Sequence, residues 1–236
     1  MGTSVLFCFG LKVQVYYDVR KLANAGFEDS PNCHPMTSTS VTMAHDSSAA
    51  PRTLLLRLKN ETRDAHESLE QDLDLLRPDL TLERYRSIVE RFYGFYRPWE
   101  STINPLLTEH LPDFAEVRSK VPSLLEDLAY LGSKSAKLPV CKALPECRQW
   151  PDVLGGLYVT EAATLSGQII SRKLEQMLGL SPRHGTAFFS SYGLQVGPMW
   201  RMFGATLQSR TPVEKEQTVI DAAKQTFACM HRWLCR

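Results

Sequence analysis

The feature that most constrains the fold is a helical hydrophobic period, which runs from Thr53 to the C-terminus without a segment that alternates like a β-strand. Turn-forming residues interrupt this period at 77–81, 110–113, 179–185 and 209–212. The predicted helices are 53–76, 82–108, 121–131, 151–178, 185–208 and 213–235, with an irregular stretch at 138–150. The sequence therefore predicts an all-α, single-domain bundle whose sites lie between facing helices.

The N-terminal segment, residues 1–51, does not follow this period. Its apolar part is too short to span a bilayer, and no basic segment precedes that part. Residues 36–51 are rich in Ser, Thr and Ala without a hydrophobic repeat. We expect residues 1–51 to be a disordered leader or a misassigned gene start, with Met36 or Met43 as the natural start, and residues 52–236 to form the helical domain.

Charge and cysteine content limit the partners and the compartment. The 27 Lys and Arg residues nearly balance the 26 Asp and Glu residues, so no broad field favours nucleic acid or an anionic membrane. The six cysteines form no C-x-x-C pair and no zinc-site spacing, and they are too sparse for a disulfide scaffold. We therefore expect a cytoplasmic protein that binds neither nucleic acid nor a membrane.

Two common functions of helical bundles are disfavoured by the residue pattern. A di-iron carboxylate bundle uses Glu-x-x-His pairs, and none of the six histidines has a glutamate three residues before it. A helix-turn-helix protein needs a basic recognition helix, whereas the last predicted helix has an apolar seam. The seam residues are Ile220, Ala223, Phe227, Met230 and Leu234.

One histidine, His66 in LKNETRDAHESLEQDL (58–73), lies at the margin of an apolar helix face. Lys59 precedes it by two turns at the same margin, and Glu70 follows it by one turn. The face itself is formed by Leu55, Leu58, Thr62, Leu69, Leu73 and Leu76. His66 is either a core histidine hydrogen-bonded to Glu70, or a metal ligand whose second nitrogen is held by Glu70.

A second unusual segment, GGLYVTEAATLSGQIISRKLEQMLGL (155–180), places small residues on adjoining helical turns. These residues are Ala162, Ala163, Ser166 and Gly167. Glycine inside a helix costs about 1 kcal/mol relative to alanine, so Gly167 requires a compensating contact. Either close packing against another part of the chain or a flat aromatic macrocycle lying on this surface would provide it.

Four segments follow one another in a characteristic order, namely LKNETRDAHESLE, GGLYVTEAATLSGQ, FFSSYGLQVGPMWRMF and TFACMHRWL. Together they resemble the haem oxygenases, most closely the bacterial branch often associated with phytochromes, over nearly all of residues 52–236. The resemblance implies a haem-oxygenase-like bundle that clamps haem between a proximal helix and a distal helix of small residues. It implies that His66 is the iron ligand, Glu70 its hydrogen-bonding partner, and Lys59 the base that meets a haem propionate.

The same resemblance implies an oxidoreductase that cleaves haem to biliverdin, carbon monoxide and iron with O2. Haem is then both cofactor and substrate. The electrons would come from a ferredoxin or a separate reductase, since no G-x-G-x-x-G loop follows a strand. A phytochrome is a candidate user of the pigment. Two alternatives stay open: a haem carrier or sensor of the same fold with little or no turnover, and an interaction protein without haem chemistry.

The distal segment departs from the pattern E-G-S-T-L-G-G-Q that is usual in this branch. Ala162 and Ser166 stand where that pattern has glycine, and Ala163 stands where it has serine. Each added Cβ narrows the space above the iron. We therefore expect the wall formed by Ala162, Ala163, Ser166 and Gly167 to direct the oxygen chemistry, and haem binding to survive more readily than turnover.

Three further residues are predicted haem contacts. Arg201 can pair with a propionate through its guanidinium group, and Phe227 matches a family position that lines the haem. Tyr192 lies in the third of the four segments. Each has an ordinary alternative, because Tyr192 and Phe227 also suit core packing and Arg201 also suits the surface.

Overall fold

The computed structural model describes residues 53–236, except the side chain of Glu116. The predicted leader and its start at Met36 or Met43 lie outside the described residues. The described residues form eight α-helices, namely α1 (Leu54–Glu61), α2 (Arg63–Leu73), α3 (Leu82–His110), α4 (Pro112–Arg118), α5 (Val121–Tyr130), α6 (Trp150–Leu178), α7 (Val196–Arg210) and α8 (Glu216–Leu234). No strand forms between residues 53 and 236, and the all-α prediction is confirmed.

Helix α6, which has 29 residues, shows how local sequence sets the helix ends. It begins with a capping box, in which Gln149 and Asp152 each accept a hydrogen bond from the other residue's backbone N–H. It ends at Gly179, whose left-handed backbone (φ 68°) is accessible to glycine without a Cβ clash. None of the helices in the described part of the chain is long and apolar enough to cross a membrane.

The centre of the fold is the pair α6 and α8, against which α3 also packs. Two adjacent glycines permit this close approach. A Cβ at Gly155 would lie 2.3 Å from the Val219 carbonyl oxygen of α8, and one at Gly156 would lie 2.2 Å from the Trp99 ring of α3. Helix α2 packs on α8 and α7 packs on α6, whereas α2 and α6 have little direct contact with each other. The helix α8 therefore supports both α2 and α6.

The first predicted helix is divided in the structure. The helical period of 53–76 is broken by a bend at Thr62, whose buried hydroxyl donates to the Leu58 carbonyl oxygen at 2.7 Å. The helix then ends at Leu73, because Asp74 adopts a left-handed conformation (φ 42°). The sequence pattern also missed the short helix α4.

The largest error in the predicted helices concerns 185–208. The helix there begins only at Val196, and residues 185–195 form turns and a single 3-10 turn, here called the 185–195 loop. Tyr192 (φ 66°) and Gly193 (φ 49°) have left-handed backbones that interrupt a right-handed helix. The aromatic spacing suggested a helix, but these residues pack from a loop.

Candidate functional site

The predicted proximal residues lie together on α2 and α8. The His66 side chain is 26% exposed, and its Nε2 lies 3.7 Å from Glu70 Oε1 one turn later. This distance is too long for a hydrogen bond, but the two groups form an ion pair when the imidazole is protonated. The edge of the imidazole meets the buried Phe227 ring of α8, with 5.8 Å between ring centroids. His66, Glu70 and Phe227 are thus neighbours.

The imidazole of His66 offers two distinct nitrogens. In the structure Nε2 is the nitrogen that lies near Glu70. A neutral imidazole carries hydrogen on only one of its two nitrogens. One nitrogen can therefore donate to Glu70 while the other presents a lone pair to a metal.

The predicted propionate partner, Lys59, is on α1 rather than on the helix that carries His66. The bend at Thr62 separates the two helices, and Lys59 is half-buried near the end of α1. Arg201 is exposed on α7. Helix α1 packs against both α7 and α8, so Lys59 and Arg201 belong to neighbouring helices.

The predicted distal residues differ among themselves in their surroundings. Ala162, Ala163 and Ser166 are half-buried on α6, and the Ser166 hydroxyl is directed to the Ala163 carbonyl oxygen at 3.5 Å. Gly167 is buried instead, and a Cβ there would lie 2.2 Å from the Phe189 carbonyl oxygen of the 185–195 loop. Close packing against the loop thus accounts for glycine at position 167.

A buried carboxylate on α5 anchors this loop. Asp127 on α5 accepts hydrogen bonds from the backbone N–H groups of Ala187 at 2.7 Å and Phe188 at 2.9 Å. Burial raises the pKa of Asp127 to about 6, although the two N–H donors act in the opposite direction. Phe189, which contacts Gly167, is the next residue in the chain after the anchored Phe188.

The Tyr192 side chain contacts Glu161, which lies on another face of α6, and Lys120, which precedes α5. Its hydroxyl donates to Glu161 Oε1 at 3.0 Å, and its ring covers the Lys120 ammonium group, with 3.6 Å from Nζ to the ring centroid. Glu161 and Ser166 are separated by about 140° around the helix, since each residue turns by about 100°. The side-chain contacts of Tyr192 are therefore with the Glu161 face rather than with the Ser166 face.

The sequence reasoning missed a buried charge cluster on the Glu161 face. The Arg118 guanidinium pairs with the Glu161 carboxylate and also donates to the Met199 carbonyl oxygen at 2.9 Å. Lys120 Nζ lies 4.0 Å from Glu161 Oε1, and burial lowers the pKa of Lys120 to about 8. A glutamate within GGLYVTEAA was a signal of a buried charge, but nothing in the sequence indicated its partners.

Comparisons with known proteins agree with this architecture. Residues 52–236 match the family model described as Heme oxygenase. A curated protein from Xanthomonas campestris pv. campestris (strain 8004), named heme oxygenase, is 28% identical over 159 residues, which are 64% of this chain and 89% of the relative.

Two solved structures share the fold. The NO- and CO-bound heme oxygenase from Neisseria meningitidis has a TM-score of 0.65 and 21% identity, covering 77% of this chain and 90% of that chain. Heme oxygenase from Leptospira interrogans has a TM-score of 0.65 and 18% identity, covering 78% and 98%. At these identities the two structures support the fold alone. Because the family model matches well over half of the sequence, the chain belongs to the heme oxygenase family.

Proposed function

We propose that this protein cleaves haem to biliverdin, carbon monoxide and iron, with O2 as oxidant and electrons from an external ferredoxin or reductase. Family membership supports haem degradation in general. The single observation that carries the finer proposal is the placement of His66 beside Glu70 and Phe227. A phytochrome that takes up the pigment is the partner we propose for the product.

The residues around His66 fit a haem group. The imidazole of His66 would hold the haem iron, since neutral imidazole is a common protein ligand of haem iron. Phe227 offers an apolar edge beside it. The small side chains of Ala162, Ala163 and Ser166 leave a low surface on α6, which is where a flat ring can approach the helix.

Charged side chains supply the remaining contacts in this proposal. Lys59 and Arg201 are cations on neighbouring helices, and a propionate carboxylate accepts charge-assisted hydrogen bonds from such groups. Tyr192 was predicted to contact haem, but its hydroxyl is already bonded to Glu161. We therefore propose that Tyr192 acts indirectly, by holding the 185–195 loop and α6 together.

The protein's own residues control orientation and space. Bound haem supplies the redox chemistry of its iron and the carbon that is oxygenated. Glu70 holds the orientation of the His66 ring and increases its basicity as a ligand. On the distal side, Ala162 and Ser166 limit the space next to α6, and Gly167 is fixed by its contact with Phe189.

A haem carrier or sensor with little turnover is the second candidate function. The observation that favours it is the Ser166 hydroxyl, which is directed to the Ala163 carbonyl oxygen of its own helix at 3.5 Å. This hydroxyl is therefore not a simple replacement for the serine that the family pattern has at position 163.

If crowding limits turnover, glycine at both 162 and 166 will raise the biliverdin yield per bound haem.

The deciding experiment on His66 is an absorption spectrum after addition of hemin. His66→Ala should still bind hemin through apolar contacts but lose the sharp Soret band of imidazole-ligated ferric haem, and added imidazole should restore it. His184→Ala, at an exposed histidine, is the matched control and should leave the spectrum unchanged. An unchanged Soret band in the His66 variant, with no response to imidazole, would contradict the ligand assignment.

Turnover separates the two candidate functions. A single-turnover assay with ascorbate or reduced ferredoxin should convert the Soret band into biliverdin absorption. Hemin that stays bound and intact under both reductants would indicate the carrier or sensor.

A further inference from the structure

A cavity of about 350 Å³ lies between α3, the junction of α4 and α5, and α6. Its mouth has the exposed residues Arg97, Ser101 and Asn104, and its wall includes Trp99 and Leu157. The cavity reaches the Glu161 side of α6 and not the side of Ser166, so it is distinct from the proposed haem site. Its volume is at the lower end of ligand pockets, which span about 300–1,000 Å³.

Three buried polar atoms, each on a residue that lines this cavity, lack a hydrogen-bond partner among the described residues. They are Lys120 Nζ, Arg118 Nε and Tyr96 Oη. The three side chains are almost fully inaccessible to solvent, with relative exposures of 3%, 5% and 1%. Ammonium and guanidinium groups only donate hydrogen bonds, so the group that would satisfy them is an acceptor. Buried donors normally have such a partner.

The two carboxylates that line the cavity already accept hydrogen bonds from other donors. Glu161 accepts from Arg118 Nη1 and from the Tyr192 hydroxyl. Glu100 accepts from the Ser119 hydroxyl at 2.6 Å and from the Lys120 backbone N–H at 2.6 Å. The Lys120 ammonium group lies 4.0 Å from Glu161 Oε1, which is beyond hydrogen-bonding distance.

We propose that this cavity binds a small organic monocarboxylate, whose oxygens accept hydrogen bonds from Lys120 Nζ and Arg118 Nε. The charges disfavour a ligand with more than one negative charge, because the two cations, Arg118 and Lys120, already face two carboxylates, Glu100 and Glu161. The walls favour an organic body over a bare inorganic anion, since Trp99 and Leu157 offer apolar contacts. The exposed Arg97 at the mouth adds a positive charge where the ligand enters.

The test uses the full chain without haem and isothermal titration calorimetry with two probes, benzoate and hexanoate. Benzyl alcohol and 1-hexanol are their uncharged counterparts. At least one carboxylate should bind with a Kd below about 10 mM and about tenfold more tightly than its alcohol. Lys120→Met should weaken that binding by about tenfold, whereas Lys142→Met, at an exposed lysine, should leave it unchanged.

Four results would overturn the proposal: no binding of either carboxylate, equal binding of carboxylate and alcohol, undiminished binding in a folded Lys120→Met variant, or equal loss in Lys142→Met. The first would mean that water alone satisfies the buried donors. Asn104→Trp closes the mouth from an exposed position on α3 and decides the question if Lys120→Met fails to fold. That variant should lose carboxylate binding while keeping its circular dichroism spectrum, and retained binding would equally contradict the site.

Discussion

At the scale of single residues, Glu161 is the buried carboxylate that lies between two buried cations. It is buried, pairs with Arg118 and lies near the Lys120 ammonium group. Removing one member of a buried ion pair leaves an uncompensated charge and typically costs about 3–5 kcal/mol. Glu161→Gln, which keeps the shape but removes the charge, should therefore lower the free energy of unfolding by about 3 kcal/mol. Urea denaturation followed by circular dichroism measures this change.

Glu175→Gln provides the control for this prediction. Glu175 is exposed on the same helix, so its substitution should change the free energy of unfolding by less than about 0.5 kcal/mol. Equal effects of the two substitutions would mean that the cluster around Glu161 is not a net source of stability.

The buried Lys120 ammonium group should make the free energy of unfolding depend on pH. Burial lowers its pKa in the folded protein from 10.5 to about 8, and the nearby Glu161 only partly opposes this. Between these two values Lys120 is protonated in the unfolded chain and neutral in the folded protein, so its contribution to the free energy of unfolding should rise as the pH increases from about 8 towards 10.5. The full gain would be on the order of 3 kcal/mol.

Urea denaturation of the wild type and of Lys120→Met between pH 7 and pH 9.5 checks this sign in the difference between the two proteins. Burial also raises the pKa of Cys147 and Cys229 to about 12, so ionisation of these thiols in the unfolded chain lowers the stability of both proteins equally. The range stops there because burial raises the pKa of Tyr85 and Tyr96, and unfolded tyrosines ionise above pH 10 with the opposite effect on stability. A wild type that becomes less stable from pH 8 to pH 9.5, relative to Lys120→Met, would contradict the prediction.

Residue spacing predicted some of these neighbours and could not predict others. His66 and Glu70 are one helical turn apart, so their proximity follows from the helix itself. The contact of His66 with Phe227, and the pairing of Arg118 with Glu161, join helices that are far apart in sequence. The resemblance to a known family implied that His66 and Phe227 both contact haem, but no pattern suggested the pairing of Arg118 with Glu161.

At the scale of elements, Gly167 couples α6 to the 185–195 loop. A Cβ at this position would lie 2.2 Å from a backbone oxygen, so Gly167→Ala forces the helix and the loop apart. Overpacking of this kind costs about 1–3 kcal/mol, which should exceed the gain of up to about 1 kcal/mol in helix propensity. We expect a net destabilisation of about 1 kcal/mol in urea denaturation.

Gly197→Ala is the matched control for Gly167→Ala. A Cβ at Gly197 would meet only the end of the Arg201 side chain, at 3.6 Å, which is an ordinary contact. This substitution should leave stability unchanged or increase it slightly. If Gly167→Ala is as well tolerated as Gly197→Ala, the contact with Phe189 does not constrain α6.

The sequence predicted helices correctly where the apolar period continued. It failed where a side chain, rather than a helix carbonyl, accepts the backbone N–H hydrogen bonds. Helix α6 was predicted at 151–178 and lies at Trp150–Leu178. The 185–195 loop was predicted as helix, because its aromatic residues have helical spacing. The buried Asp127 carboxylate accepts two of the loop N–H groups, and a hydrogen bond across 60 residues leaves no local trace in the sequence.

At the scale of the whole molecule, the fold class could be predicted but the packing order could not. The helical period and the absence of strand alternation sufficed for an all-α bundle. The close pairing of α6 with α8 depends on Gly155, which allows approach to the Val219 carbonyl oxygen. Glycine pairs have several possible uses in a helix, so the partner helix was not apparent from the sequence.

The helical domain begins at about residue 52. The family match begins at residue 52, and the buried apolar residues described here, from Leu54 to Leu234, pack among the eight helices. We propose that a chain starting at Met43 retains all the contacts that stabilise these helices. Its melting temperature should lie within about 2 °C of that of the full chain, because each 1 kcal/mol shifts the Tm by about 2–4 °C at this size.

Hemin titration provides the second measurement on the shortened chain, which should bind with the affinity of the full chain, since His66, Glu70 and Phe227 are all retained. A shorter chain provides the control. A chain starting at Leu58 should be clearly destabilised, because it lacks the first turn of α1 and the buried Leu54. A large fall in melting temperature for the chain starting at Met43 would instead mean that residues 1–42 stabilise the bundle, and the boundary near residue 52 would be wrong.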